Sequence, residues 1–392
     1  MKLLYITFLG IFKKVVFCNF FNCFEVCLTF YKGDVTLKEK EKNRLPLASG
    51  DGLSLGSSGV LARGLSLASD VEVKEIDDFA VINEDCSKVL EELQEELSGK
   101  FAPKKVRISI LADTYWELGH KKRARLVSDC GSFLEFKVFD QGKKLNASNF
   151  CKDRLCPMCN WRRSLKIFGQ VSQVMDVLDD GSRVFLFLTL TLRNSSIDDY
   201  SSMVQQLFDG WRFFYNKHPI VRKTVLGMFR SMETTINQEK HTFHAHLHNV
   251  LAVPSNYFHQ GYITQKKWSD MWAESCKIDY NPIVHIEQFK AKPGYSGFGG
   301  AVAEAVKYSV KDYDFLVDSN FWRPKYVQAL CDGLYHRRLT SMTGCFKKVH
   351  KALNFSDPED GDLTGVDGIE LRDDLNYMMV RFGWKNGVYV RI

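Results

Sequence analysis

Proline is scarce in this 392-residue chain, at 9 residues, and its 27 glycines follow no fixed period, which excludes collagen-like and elastic repeats. No apolar run reaches the roughly 18 residues that a membrane span requires. Lys13 and Lys14 interrupt the apolar start, and Asn19, Asn22 and Glu25 interrupt its resumption. The order expected of a signal peptide is also missing, since only Lys2 precedes the first apolar run and no small-residue cleavage site follows. A non-native or poorly ordered leader is therefore a better reading of this stretch than an interfacial or spanning segment. Charge of one sign is not in excess either: 53 basic and 47 acidic residues leave +6. That balance permits an anionic partner without demanding one. What is present is a globular composition, 45% hydrophobic and 26% charged, too apolar for a wholly disordered chain. Its length suits two or three domains.

The 11 cysteines are too unevenly spread for the disulfide framework of a small secreted domain. Cys130, Cys151, Cys156 and Cys159 form the one close group, and an odd total with a local C-x2-C favours a reducing, cytoplasmic compartment and a metal site. Four thiolates complete a tetrahedral structural zinc site and leave no position open for catalysis. Around them lie Lys104, Lys105, Arg107, Lys121, Lys122, Arg123 and Arg125, then Arg154, Arg162, Arg163 and Lys166. The last four are the candidate DNA contacts, on a surface that the zinc site would stiffen.

Residues 36–75 read as a linker, with a charge run and then a Gly/Ser/Leu-rich stretch. A helix is expected from Asn83 to Ser98 with Gly99 as its C-terminal cap. A second, with Leu165, Phe168, Val171, Met175 and Leu178 on one face, runs to the Asp179-Asp180-Gly181 stop. Val184 to Leu192 is a strand, Ile197 to Asn216 a helix, and Val225 to Ile236 with Thr242 to Val253 an antiparallel hairpin. A helix over Gln265 to Ser275, a strand over Ile283 to Gln288 and a helix from Ala301 to Lys311 follow. An acidic tail over Asp357 to Asp374 leads to a hairpin turning at Asn386-Gly387. The class is α+β.

Three histidines, His244, His246 and His248, alternate with apolar residues along one of these strands. Strand alternation points all three imidazoles to one face, where neighbouring rings can converge on a divalent cation. Glu233 lies on the partner strand, where a carboxylate could complete the coordination. A polar stripe on an exposed strand is the weaker alternative. In the helix read over 301–311, Glu304, Tyr308 and Lys311 share a face by their spacing. A phenol can act as a nucleophile, a cation beside it favours phenolate, and a carboxylate can activate water. Taken alone, that trio is as well explained by a solvated helix face.

In order, F-L-T-L-T (Phe187 to Thr191), H-A-H-L-H (His244 to His248) and E-A-V-K-Y-S-V-K (Glu304 to Lys311) resemble the three motifs of plasmid rolling-circle replication initiators, in the HUH endonuclease superfamily. The upstream C-K-D-R-L-C-P-M-C-N-W-R-R looks like the cysteine motif of one branch of them. The resemblance covers Cys130 to Phe315. It implies an antiparallel, ferredoxin/RRM-like sheet with helices on one face, preceded by a small four-cysteine zinc-binding, DNA-binding region. It implies His246 and His248 as paired ligands of Mg²⁺ or Mn²⁺ with His244 auxiliary, Tyr308 as nucleophile, Lys311 beside it, and Glu304 as the carboxylate that activates water at termination. Thr189 and Thr191 would support the metal strand. Ala245 and Val310 depart from proline and glycine often found there. The implied activity is a strand-specific nick at a plasmid origin. The implied partners are origin DNA, single-stranded or as a hairpin, and a host helicase and polymerase, with a homo-oligomer allowed. No P-loop is present, so no fused motor is expected.

The implied organisation is a leader over 1–35, the linker over 36–75, a helical and zinc-binding DNA-contact region over 76–166, a nicking and joining domain over 167–355, and an acidic linker with the hairpin over 356–392. The rivals are a relaxase or single-strand transposase of the same superfamily, a non-catalytic zinc-dependent DNA-binding regulator, and a phosphoesterase that uses water throughout.

Overall fold

A computed structural model describes residues 84–139, 142–289, 302–303, 305–306, 309–366 and 377–392. The leader, the linker, the glycine-rich residues 290–301 and two of the candidate catalytic residues, Glu304 and Tyr308, lie outside them. In chain order the elements begin with α1 (Glu84–Glu96), α2 (Ala102–Glu117), α3 (Lys121–Asp129), β1 (Phe133–Phe139), β2 (Gly142–Ser148), α4 (Pro157–Leu178) and β3 (Arg183–Thr191). Next come α5 (Tyr200–Lys217), α6 (Pro219–Thr224), β4 (Gly227–Asn237), β5 (Thr242–Pro254), α7 (Gln265–Cys276) and β6 (Val284–Gln288). The last are α8 (Asp312–Phe315), α9 (Trp322–Leu334), β7 (Thr340–Thr343), α10 (Gly344–Ala352), β8 (Met378–Lys385) and β9 (Val388–Arg391). The α+β class is as expected, with two antiparallel sheets.

The larger sheet has the order β6-β3-β5-β4-β7, every neighbour antiparallel. Alternation along its strands builds two different faces. Leu186, Leu188 and Leu190 of β3, Met228 and Met232 of β4, and Leu247 and Leu251 of β5 join a core with Tyr200, Val204 and Leu207 of α5 and Trp268 and Trp272 of α7. The Trp272 indole donates to the Thr191 carbonyl at 2.8 Å, which ties α7 to the end of β3. On the opposite face Phe185, Phe187, Phe229, Val250 and Ala252 meet Val171, Val174, Met175 and Leu178 of α4 and Phe346 of α10. The expectation of helices on one face is thus corrected: α4, a 22-residue helix, brings the apolar stripe of its C-terminal half to the second face as well.

The smaller sheet, β2-β1-β8-β9, joins the two ends of the described chain. Its β1–β2 hairpin follows α3 directly, and the C-terminal hairpin pairs through β8 with β1, Phe136 opposite Val380. The Asn386-Gly387 turn forms where the sequence puts it, both residues at positive φ.

Two helix boundaries differ from expectation. Gly99 does not cap α1: a π-helical turn, Leu97–Phe101, carries the helix on into α2, because Leu97 and Phe101 are both buried in the core. Pro103 sits in the first turn of α2, where its missing N–H costs least. The helix expected from Ala301 to Lys311 does not reach Lys311. Val310 forms a parallel bridge with Thr234, the Thr234 amide donates to the Ser309 carbonyl at 2.7 Å, and Lys311 is extended. Burial of Val310 against β4 outweighs continuation of the helix, so Lys311 is not held to a helical face shared with residues 304 and 308.

Candidate metal centre and four-thiol cluster

The second face of the large sheet changes character at the same level on three strands. Phe187, Val250 and Phe229 form an apolar rung from β3 across β5 to β4. One step along, Thr189, His248 and Ser231 are in register; the next rung is Thr191, His246 and Glu233, and then Thr235 opposite His244. The change follows from F-L-T-L-T and H-A-H-L-H: alternate positions turn from Phe or Val to Thr and His while the other face stays apolar.

At the centre of this polar patch, Oε2 of Glu233 accepts from Nε2 of His246 at 3.1 Å and of His248 at 3.0 Å. All three residues are buried, and their donor atoms lie within 4.8 Å of one another. An octahedral site with bonds of about 2.1 Å has adjacent donors about 3.0 Å apart, so this set fits a divalent cation such as Mg²⁺ or Mn²⁺. Burial alone would raise the Glu233 carboxyl, but the hydrogen bonds and charge of the two histidines outweigh it and hold it well below the usual carboxylate range. His248 is oriented from behind, with Nδ1 3.3 Å from the Thr189 hydroxyl and the ring stacked on Phe187 at 5.4 Å. Thr191 instead donates to the Ile283 carbonyl at 2.8 Å, which closes β3 against the β6 approach. His244 stands one rung out, 5.3 Å from the His246 ring and outside the converging set. Burial and the neighbouring His246 lower its pKa, so it is neutral at pH 7.

Lys311 follows the Val310–Thr234 bridge on β4 and feels the charge of Glu233. Burial acts against its charge, but Tyr313, Glu233 and Asp314 prevail and raise its pKa. Asp314, which the sequence did not single out, is half-buried beside it; burial lifts its carboxyl to about 6 against the opposing pull of Lys311. Asn160 was also missed. Its amide donates to the Val310 carbonyl at 3.1 Å and its oxygen accepts from Ser309 at 3.4 Å, pinning the segment after Tyr308 to α4. An asparagine buried in a helix is the signal that could have drawn attention to it; Asp314 carries none.

The four candidate zinc ligands converge. Cys130 follows α3, Cys151 and Cys156 flank a turn with Lys152 at φ 58, and Cys159 is in the first turn of α4. Sulfur separations are 3.4 Å for Cys130–Cys159, 3.5 Å for Cys156–Cys130 and 3.7 Å for Cys151–Cys159. Zn–S bonds of about 2.3 Å give tetrahedral edges of about 3.8 Å, so the set fits zinc. Amides of Cys151, Lys152 and Asp153 point at these sulfurs. Burial pushes the Cys156 thiol up, which a bound cation would reverse.

The four candidate DNA contacts are turned toward the protein's own chain. Arg162 is buried and donates to the Leu363 carbonyl at 3.0 Å, and Lys166 is buried and donates to Asp357 O at 2.6 Å. Arg163 donates to the carbonyls of Glu359 and Lys152, and Arg154 to those of Leu334 and Arg337 and to the Glu359 carboxylate. Arg154 and Arg163 also border a small cavity of about 50 Å³ with Asn160, Ser231 and Ser309. The acidic segment 357–363 is thus the counterpart of these cations. Among the described residues no helix is long and apolar enough to cross a membrane.

The replication-protein family matches residues 142–390, which takes in the whole larger sheet and the His–Glu centre, and the chain belongs to that family. The resemblance to plasmid replication initiators read from the motif order is therefore sound. Among curated relatives, a "Protein rep" of Streptococcus pneumoniae serotype 2 is 35% identical over 72% of this chain and 88% of its own length. A "Protein rep" of a Bacillus species is 38% identical over 63% of this chain and 85% of its own, and a "Replication protein" of Staphylococcus aureus 32% identical over 52% and 89%. No solved structure matches.

Proposed function

We propose that this replication initiator is a metal-dependent nicking and joining enzyme of the HUH type, acting on one strand of a plasmid origin. The observation that carries the reading is the convergence of Glu233, His246 and His248 on a buried patch, beside which the segment after Tyr308 is fixed to β4 by the Thr234–Ser309 hydrogen bond. A divalent cation at that centre would polarise the scissile phosphate. Tyr308 attacks phosphorus as the bond to the 3′-oxygen breaks; that oxygen takes up a proton and leaves as a primer hydroxyl, while the 5′-phosphate remains on the tyrosine. Lys311 favours the phenolate, and Glu304 later takes the proton from the water that releases the strand. Thr189 holds His248, Ser231 holds Ala305 against β4, and Asn160 holds Val310 against α4. His244 adjusts the rim of the site.

The sheet with its His strand supports an HUH-type, ferredoxin/RRM-like assignment, and the thiol cluster supports a structural zinc. Extension by a host polymerase, unwinding by a host helicase and a cytoplasmic location follow from the reading.

A single-stranded oligonucleotide carrying a candidate origin, labelled 3′ of the nick and incubated with Mn²⁺, tests it. The expected result is an SDS-resistant protein–DNA adduct that Tyr308→Phe abolishes and chelator suppresses. Cleavage without an adduct would remove Tyr308 from its role in favour of water; binding of a verified origin without any cut would favour a non-catalytic regulator.

A further inference from the structure

Most cations gathered around the thiol cluster are spoken for. Besides the three arginines and one lysine of α4 and its approach, Lys105 is buried and donates to the carbonyls of Ser128 and Cys130, and Arg123 pairs with Asp153. Besides Lys152, exposed in the turn between the cysteines, what remains facing solvent is one side of α3. Lys121, Lys122 and Arg125 are exposed there, without an acidic partner among the described residues, while Ala124 and Val127 are buried on the other side. At the foot of this face stands Trp116 from the last turn of α2, 50% exposed, with Lys121 Nζ 5.6 Å and the Arg125 guanidinium 6.0 Å from its ring. The turn between the helices closes tightly at Gly119, φ 80.

The helix is also held stiffly. Its last carbonyls bind the buried Lys105 ammonium, and the next residue is Cys130, whose sulfur lies 3.4 Å from that of Cys159. A cationic face at fixed spacing suits a partner whose charges are also at fixed spacing. Lys121 and Arg125, four residues apart, are separated by about 6 Å along the helix axis, close to two steps of a DNA strand at about 3.4 Å each.

We propose that the outward face of α3 is the surface on which this protein binds duplex DNA, with Lys121, Lys122 and Arg125 contacting phosphates and Trp116 packed at their base. The proposal takes the class of partner from the reading of the chain as an origin-acting protein. It moves the duplex contact away from Arg154, Arg162, Arg163 and Lys166, which hold the acidic segment. Membership of the α3 face rests on phosphate contact, so its signature is electrostatic: each phosphate contact adds about 0.9 to the slope of log affinity against log salt.

The test uses the full-length, zinc-loaded protein and a fluorescent 30-base-pair duplex of arbitrary sequence, with anisotropy measured between 50 and 200 mM salt. Changing Lys121, Lys122 and Arg125 together to Gln should lower the slope by about 2.7 and weaken binding at least thirtyfold at the low-salt end. Each single change, for use should the triple variant fold poorly, should lower the slope by about 0.9. Circular dichroism and zinc content show that the fold is kept. Changing Lys347, Lys348 and Lys351 of α10 to Gln removes the same charge from another exposed helix and should leave most of the affinity. An unchanged slope in the α3 variants, an equal loss in the α10 variant, or a loss confined to a 30-nucleotide single strand would each overturn the proposal. Failure of the wild type to nick single strands would sink the catalytic reading instead, and the duplex result would still stand.

Discussion

Changing Glu233 to Gln should separate a metal-holding role from a merely structural one. The amide keeps the shape and one carbonyl oxygen but removes a unit charge from a buried position 3.0–3.1 Å from two imidazole nitrogens. Two unit charges about 4 Å apart attract by about 4 kcal/mol at an effective dielectric near 20, and a divalent ion doubles that. Desolvation of the carboxylate returns more than half, which leaves about 3 kcal/mol, or roughly a hundredfold in dissociation constant. Titration with Mn²⁺ followed by electron paramagnetic resonance reads that constant directly. Cleavage of the single-stranded substrate should be recovered at high Mn²⁺, since the loss is in holding the ion and not in the attacking group. A shift below threefold would refute the assignment of Glu233 as a ligand.

Four further outcomes follow from the same geometry. Cys159→Ser should abolish binding of one zinc per chain, measured by elemental analysis, and speed hydrogen exchange in α3 and β1, because that sulfur links the ends of α3 and α4. Arg162→Ala should cost about 2–4 kcal/mol in urea unfolding while leaving the salt slope of duplex binding unchanged, since its guanidinium is buried against Leu363. Gly344→Ala should cost about 2–4 kcal/mol, because the backbone there has φ 55 and a Cβ would meet the Leu226 carbonyl; the melting temperature should fall by several degrees. Asp314→Asn should stabilise the metal-free protein at pH 7.5 by about 1–2 kcal/mol, after allowance for its partial exposure. Its carboxyl binds a proton more tightly folded than unfolded, so its contribution is present below the ordinary carboxylate pKa and lost as pH rises through about 6. The difference between variant and parent should therefore vanish near pH 4. Glu233 acts in the opposite sense, its contribution present above the ordinary carboxylate pKa and lost as pH falls below it.

Much of this was legible in the residues. Strict alternation in H-A-H-L-H and F-L-T-L-T fixes which side chains share a face, because a strand has only two, and the register of β3, β4 and β5 then follows from matching apolar rungs. The short spacing Cys151-x4-Cys156-x2-Cys159 announces a cluster by itself, and Asn386-Gly387 announces a hairpin. These are local facts, set by backbone geometry over a few residues. The partners of Arg162 and Lys166 were not local: carbonyls some 190 to 200 residues away turn a basic stretch into a structural clamp. Gly99 looked like a helix stop until burial of Leu97 and Phe101 carried the chain through it. β7 is four polar-leaning residues whose only reason to be a strand is the open edge of β4. Lys311 looked like the next turn of a helix, but Thr234 offered the backbone a partner in the sheet. Sequence determined the chemistry each strand face can display, because periodicity is a property of the backbone. Tertiary structure alone decided which cations reach solvent and that Asp314 stands beside Lys311, because burial and long-range hydrogen bonds depend on what the fold brings near.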